Sequence, residues 1–125
     1  MKVYIESYFN TVEIAEWLSE IYENIPGVKI RWSMNDYGQN FRECDVFIVM
    51  MDTDLSANSG TKIGIISNEI EHGKKKIIIG IDKDYEFKDT DYFSRHMIMR
   101  GGTIVSSIEE AVEYMKQFED EFNEE

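Results

Sequence analysis

The sequence is poor in the features that mark secreted and membrane-spanning proteins. It has a single cysteine, Cys44, so no internal disulfide can form. Its longest apolar runs, Val46 to Met51 and Ile77 to Ile79, are far shorter than the roughly 20 residues that a helix needs to cross a bilayer. The first residues also lack the apolar stretch of a secretory signal peptide. We therefore expect a cytoplasmic protein that does not associate with membranes.

Positive charge is also scarce. Thirteen lysines and arginines stand against 25 acidic residues, which gives a formal net charge of -12 and a pI near 4.5. Such a surface should repel phosphate backbones, so nucleic acid is not an expected partner. The segment from Ile108 to Glu125 contains eight acidic residues and one lysine. One alternative function is therefore a protein-interaction module whose acidic last helix contacts a basic partner.

The apolar residues follow two periods that alternate along the chain. Runs typical of strands cover residues 2–5, 28–32, 44–51, 77–81 and 103–105, and amphipathic segments begin at Asn10, at Asn58 or Ser59, and at Ser107. The stretch from Asp82 to Arg100 has no clear period. This alternation predicts an α/β fold: a single flavodoxin-like (Rossmann-like) domain over residues 1–125, with a five-stranded, mostly parallel sheet, helices on both faces and an acidic C-terminal helix from about residue 107.

In such a fold, ligands bind beyond the carboxyl ends of the strands. Ser59, Gly60 and Thr61 begin a helix at that edge, where backbone N–H groups and hydroxyls can hold a phosphate or carboxylate. Lys62 adds a cation to this anion site. The same residue types are ordinary helix caps, and a lysine on a helix is commonly solvated, so the structural interpretation stays open beside the functional one.

Other polar and aromatic residues are expected at the same edge. Asp52 follows a buried strand, where a carboxylate can bind a ribose hydroxyl or transfer a proton, although it can equally form a turn. Tyr8 and Phe9 follow the first strand and can stack on a base or line the crevice. Asp52 and Asp54 carry the oxygen ligands of a magnesium site, yet we predict neither a metal nor another cofactor. The acidic run that starts at Asp82 is interpreted as solvated surface.

Four segments together resemble the nucleoside 2-deoxyribosyltransferase-like superfamily: MKVYIESYFN, ECDVFIVMMD, SGTKIG and HGKKKIIIGI. The resemblance implies a flavodoxin-like domain that acts on the N-glycosidic bond of nucleosides or nucleotides. It implies that Asp52 orients or protonates the substrate and that Ser59 and Thr61 line the sugar or phosphate site. The family's catalytic glutamate is missing, because its position is occupied by Lys62, Gly64 or Ile65. We therefore predict a nucleoside- or nucleotide-binding domain whose catalysis is lost or altered.

A second resemblance leads to an alternative function. The segment SNEIEHGKKKIIIGI is similar to the WEIE…GKKIIGI signature of TIR-like domains. That resemblance implies cleavage of NAD, with Glu69 as the catalytic carboxylate. Glu69 lies about one turn closer to Gly73 than the signature has it, and Asn68 replaces the tryptophan. An active N-glycosidase or NAD hydrolase is thus the alternative function. The expected partners are a nucleoside, nucleotide or NAD-like small molecule, and a second copy of the chain in a homodimer.

Overall fold

Strands and helices alternate along the chain. The computed structural model describes residues 1–6, 11–32, 40–51, 57–82 and 92–122. In these residues the elements are, in chain order, β1 (Lys2–Glu6), α1 (Thr11–Asn24), β2 (Lys29–Trp32), β3 (Val46–Met50), α2 (Ala57–Glu71), β4 (Ile77–Ile81), α3 (Tyr92–Gly101), β5 (Gly102–Val105), α4 (Ile108–Lys116) and α5 (Glu119–Phe122). A short 3₁₀ turn, Phe41–Glu43, precedes β3.

The five described strands form one sheet in the order β2-β1-β3-β4-β5, and every neighbouring pair is parallel. This is the flavodoxin-like order, in which the chain steps from β1 to one side and then returns to build the other side. The central strands β3 and β4 read VFIVM and IIIGI and are almost entirely buried, as strands covered on both faces should be. The predicted α/β fold with a parallel sheet is confirmed.

Helices cover both faces of the sheet, as predicted, and each face has its own core. Because side chains alternate along a strand, Val3 and Ile5 of β1 face one core, while Tyr4 faces the other. The first core takes its other apolar side chains mainly from α1 and α4. The second, which we call the α2–α3 core, is built by α2, α3 and the central strands, with Phe47, Val49, Ile63, Ile66 and Ile98 fully buried.

The structure corrects several predicted boundaries. Strand β1 extends through Glu6, which the sequence placed in a polar break. Helix α2 begins at Ala57, so Ser59 is its third residue rather than its cap. The stretch from Asp82 to Arg100, which has no clear period in the sequence, contains nearly all of helix α3. Ser107 does cap α4 by accepting a hydrogen bond from the backbone N–H of Glu110, as predicted.

Helix α3 runs into β5 without a loop, and this junction depends on glycine. A Cβ on Gly102 would lie 1.7 Å from the carbonyl oxygen of Ile78 in the neighbouring strand. Only a residue without a side chain therefore lets β5 pair with β4 at this point.

In the part of the chain that the structure describes, no helix is long and apolar enough to span a membrane.

Candidate functional site

The candidate site lies where the strand order reverses, between the carboxyl ends of β1 and β3. The chain leaves β1 for β2 on one side of it, and the next strand, β3, lies on its other side. In open parallel sheets this point leaves a crevice that ligands use. Glu6 is the last residue of β1, and Ser59 and Lys62 lie in the first turns of α2, the helix after β3. These three side chains meet at the reversal point.

Glu6 and Lys62 form a buried ion pair. The Nζ of Lys62 lies 2.8 Å from Oε2 and 3.1 Å from Oε1 of Glu6. The Glu6 side chain is 0% exposed and that of Lys62 is 5% exposed. The Ser59 hydroxyl donates a long hydrogen bond of 3.5 Å to Oε1. The carboxylate is thus held between an ammonium group and a hydroxyl, away from water.

Aromatic rings line the path of the lysine. Its Nζ lies 5.7 Å from the ring centroid of Tyr4 and 5.6 Å from that of Phe41. A cation over a desolvated ring gains electrostatic energy from the ring quadrupole. The alternative of a solvated Lys62 is therefore wrong: its cation is buried against β1. Because the side-chain period of a strand is two, Tyr4 and Glu6 share the face that α2 covers, which explains how one lysine reaches both.

The arrangement divides the start of α2 into an inner and an outer side. Ser59 and Lys62 turn inward to Glu6, while Thr61 is exposed. In the described part of the chain, apart from the neighbouring residues and the backbone of α2 itself, no atom lies within 4 Å of the place where a Cβ on Gly60 would be. The first N–H groups of an α-helix have no acceptor within the helix. Ala57 and Asn58, the first two residues of α2, can therefore offer backbone N–H donors to a ligand, and the exposed Thr61 lies one turn behind them.

A second buried ion pair lies at the same edge. Asp82 follows β4 directly, its side chain is buried, and its carboxylate pairs with the guanidinium of Arg95 on α3. The interpretation of the acidic run as solvated surface is therefore wrong at Asp82. Strands β1 and β4 are separated by β3, so their ends lie about 10 Å apart across the edge. This is the width of a small ligand.

The structure brings only part of the predicted site together. Ser59, Gly60, Thr61 and Lys62 lie side by side at the start of α2. Tyr8, Phe9 and Asp52 lie outside the described residues. The sequence-based prediction did not include Glu6 or Arg95 among the site residues.

Glu69 lies elsewhere. It is ten residues beyond Ser59 on α2, about 15 Å along the helix axis. Its carboxylate pairs with Arg42 at 2.8 Å and with Lys76 at 2.9 Å. Arg42 precedes β3 and Lys76 precedes β4, so this network lies at the amino edge of the sheet, opposite the crevice. Burial raises the pKa of Glu69, but the hydrogen bonds and charges of Lys76 and Arg42 outweigh it and hold that pKa below its ordinary value.

The remaining nucleophile and ligand candidates have ordinary roles. Cys44 is buried just before β3, and burial raises its pKa to about 12, so the thiol stays protonated and unreactive. The Nδ1 of His72 lies 2.8 Å from the carbonyl oxygen of Asn68 in the last turn of α2. Within the described residues, no three histidine, cysteine, aspartate or glutamate side chains are grouped closely enough to hold a metal ion.

The known proteins that this chain resembles are distant from it in sequence. No family model matches the sequence. Endoribonuclease YbeY of Clostridium beijerinckii is 24% identical over 124 residues, which cover 93% of this chain and 70% of that protein. A solved flavodoxin structure from Streptococcus pneumonia TIGR4 matches with a TM-score of 0.43 and 20% identity, over 98% of this chain and 96% of the flavodoxin.

Proposed function

We propose that this protein binds a nucleoside or nucleotide at the carboxyl edge of its sheet. In this proposal it is related in function to the nucleoside 2-deoxyribosyltransferase-like superfamily but lacks that family's catalytic glutamate. The observation that carries the proposal is the buried cluster of Glu6, Lys62 and Ser59 at the point where the strand order reverses. Buried, ionisable clusters in a crevice are more frequent at binding and catalytic sites than elsewhere.

Stability alone does not account for this cluster. Removing two charges from water costs several kcal/mol per ion, and well-packed apolar residues in the same place are often equally stable. What an ion pair adds is a fixed position for the elements that carry it. Here the pair ties the first turns of α2 to the end of β1, so the unpaired N–H groups at the start of α2 are held still at the crevice.

The proposed roles combine the positions of the described residues with the sequence-based predictions for Asp52, Tyr8 and Phe9. Ser59 and Lys62, which the sequence predicts as ligand contacts, are engaged with Glu6 and act as positioning residues. The first N–H groups of α2 and the Thr61 side chain contact the sugar or phosphate. Asp52 contacts the ribose or base. Tyr8 or Phe9 covers the base.

Calorimetric titration tests this proposal with adenosine, AMP and NAD as probes. We expect saturable binding of at least one probe and about tenfold weaker binding for Thr61→Ala and for Asp52→Ala, since each removes a hydrogen bond to the ligand. Asn68→Ala, an exposed position on the same helix, is the matched control and should bind as the natural protein does. Failure of all probes to bind at millimolar concentration, or equal affinity in all variants, would contradict the proposal.

The same samples distinguish binding from catalysis. Chromatography for released base after incubation with nucleosides and NAD tests the N-glycosidase alternative, which uses Glu69. We expect no release, because Glu69 lies at the amino edge between two cations. Base release that disappears in Glu69→Gln would favour the alternative. A single-stranded RNA oligonucleotide is a further probe, because the relative's name denotes an endoribonuclease.

One observation favours the interaction-module alternative as a second candidate. An open cavity of about 380 Å³ lies beside the edge strand β5, and Glu109, Glu110, Glu113 and Tyr114 line it. A basic peptide is the partner whose charge fits this surface. Titration with a lysine-rich peptide at low and high salt tests it, and binding that Glu109→Gln and Glu113→Gln leave unchanged would contradict it.

A further inference from the structure

We propose that a second site, on the face of β1 and β2 that carries Lys2, Lys29 and Arg31, binds the phosphate or carboxylate group of a small molecule. The site is a cavity of about 220 Å³, which we call the β1–β2 groove. Its charged and polar lining is Lys2, Lys29, Arg31, Asn40 and Glu43, and its floor is Val3, Tyr4 and Cys44. It lies at the opposite end of β1 from the nucleoside site and does not depend on it.

Strand register brings the three cations together. Lys2 of β1 is paired with Lys29 of β2, and Tyr4 is paired with Arg31. Alternate residues of a strand point to the same face, and neighbouring strands lie about 4.8 Å apart. All three cationic side chains therefore project from one small area of one face.

Few charges in the groove oppose these cations. Arg31 approaches Glu43 at 3.9 Å, but both side chains are more than half exposed, so this pair is weak. Asp45 is the other nearby carboxylate, and it accepts a hydrogen bond of 2.8 Å from the backbone N–H of Lys2. Among the described residues, no carboxylate forms an ion pair with the Lys2 or Lys29 ammonium group. Two like charges side by side on neighbouring strands repel each other. An anion between them would remove that repulsion.

The setting of the groove is unusual for this protein. The chain carries a net charge of -12, so three cations beside the two carboxylates of Glu43 and Asp45 are a local reversal of sign. The floor residues Tyr4 and Cys44 are buried, and a low-dielectric wall strengthens the attraction of an anion to the cations above it.

The dimensions favour a compact oxyanion. Pockets for drug-sized ligands measure about 300–1,000 Å³, so this cavity suits a single phosphate or carboxylate group with a small substituent. The planar guanidinium of Arg31 can donate two parallel hydrogen bonds to either group.

Amide NMR on the intact chain tests the proposal, with inorganic phosphate and acetate as probes at constant ionic strength. We expect saturable shifts at the amides of Lys2, Lys29, Arg31 and Asn40. Lys29→Gln and Arg31→Gln should each weaken binding about tenfold, because each removes a charge-assisted hydrogen bond. All three cations are exposed, so these variants should fold normally.

Two controls separate a built site from general attraction. Lys29→Arg keeps the charge and should stay within about twofold of the natural affinity. Lys116→Gln, on α4 and away from the groove, should have no effect. Preference for phosphate or for acetate identifies the ligand class, and either supports the proposal. Shifts that do not saturate, that centre on Lys74 and Lys75, or that persist in both groove variants would overturn it. Adenosine, which is uncharged, should bind Lys29→Gln unchanged, so this site and the nucleoside site fail independently.

Discussion

The buried pair between Glu6 and Lys62 allows a quantitative prediction about stability. At 2.8 Å and an effective dielectric constant of about 20, the two charges attract each other by about 6 kcal/mol. Several kcal/mol of desolvation per ion oppose this, so the intact pair contributes little net stability. Removing one partner is different, because the other charge then stays buried without its counter-ion. We expect Glu6→Gln and Lys62→Met each to lower the free energy of unfolding by about 3–5 kcal/mol.

Urea unfolding followed by tryptophan fluorescence is a suitable assay. With a urea m-value of about 1.5 kcal/mol/M, a loss of 3 kcal/mol moves the midpoint down by about 2 M. The double variant Glu6→Leu/Lys62→Met removes both charges and keeps the volume apolar, so it should be more stable than either single variant. With the single variant Glu6→Leu added to close the double-mutant cycle, the interaction energy should be about 3 kcal/mol or more.

The exposed pair between Glu113 and Lys116 on α4 is the matched control. Its atoms are 3.5 Å apart, but the Glu113 side chain is 75% exposed. Breaking it should change stability by less than about 0.5 kcal/mol. If Glu6→Gln or Lys62→Met costs no more than this control, or if the double variant is the least stable of the three, the buried pair does not exist as described.

Three further measurements follow from other parts of the structure. The pKa of Glu69 is lowered, so its ion pairs stabilise the fold fully above its ordinary pKa of 4.5 and less as the pH falls through the lowered pKa. The difference in unfolding free energy between the natural protein and Glu69→Gln should therefore be constant from pH 5 to pH 7 and should shrink in more acidic buffer. Cys44, with its pKa near 12, should not react with iodoacetamide at pH 8 in the native state and should react in urea; modification of the native protein would contradict its burial. Gly102→Ala should destabilise the protein by about 1–3 kcal/mol or more, because its Cβ would collide with the backbone of β4. Gly60→Ala should stabilise it by about 0.5–1 kcal/mol, because alanine improves helix propensity and its Cβ would meet no described atom outside the neighbouring helix backbone. Equal melting temperatures for the two variants would argue against the close approach of β5 to β4.

The fold was predictable because its evidence is local. Strand β4 reads IIIGI and is buried on both faces, and Ile63, Ile66 and Ile70 mark the inner face of α2 by spacing alone. Helix α3 was missed because its inward residues are few: Ile98 is fully buried, but Arg95 replaces an apolar residue at the inner face and pairs with Asp82. Tertiary pairing of charges, which periodicity does not reveal, decided this element.

The site was predictable only in part, for the same reason. Ser59 to Lys62 could be assigned to a helix start, since capping chemistry is local. The contact between Glu6 and Lys62 joins residues 56 positions apart and requires β1 to lie beside β3. One pattern does point to it. Lys62 is adjacent to Ile63 and so lies at the border of the inner face of α2, while Glu6 shares the strand face of Tyr4.

Charge pairing at the carboxyl edge also predicts which ligand fits there. Lys62 and Arg95 are each held by a buried carboxylate, so in the described part of this edge both cations are neutralised. What α2 offers at this edge is the N–H groups of its first residues, which suit sugar hydroxyls and at most one phosphate. We therefore expect adenosine to bind as tightly as AMP, and ATP to bind more weakly because the net charge of -12 repels it. Titration of the three compounds at two salt concentrations checks this expectation. Affinity that rises with each added phosphate would mean that an unpaired cation serves the site, and that Glu6 and Asp82 do not hold Lys62 and Arg95 as the geometry has them.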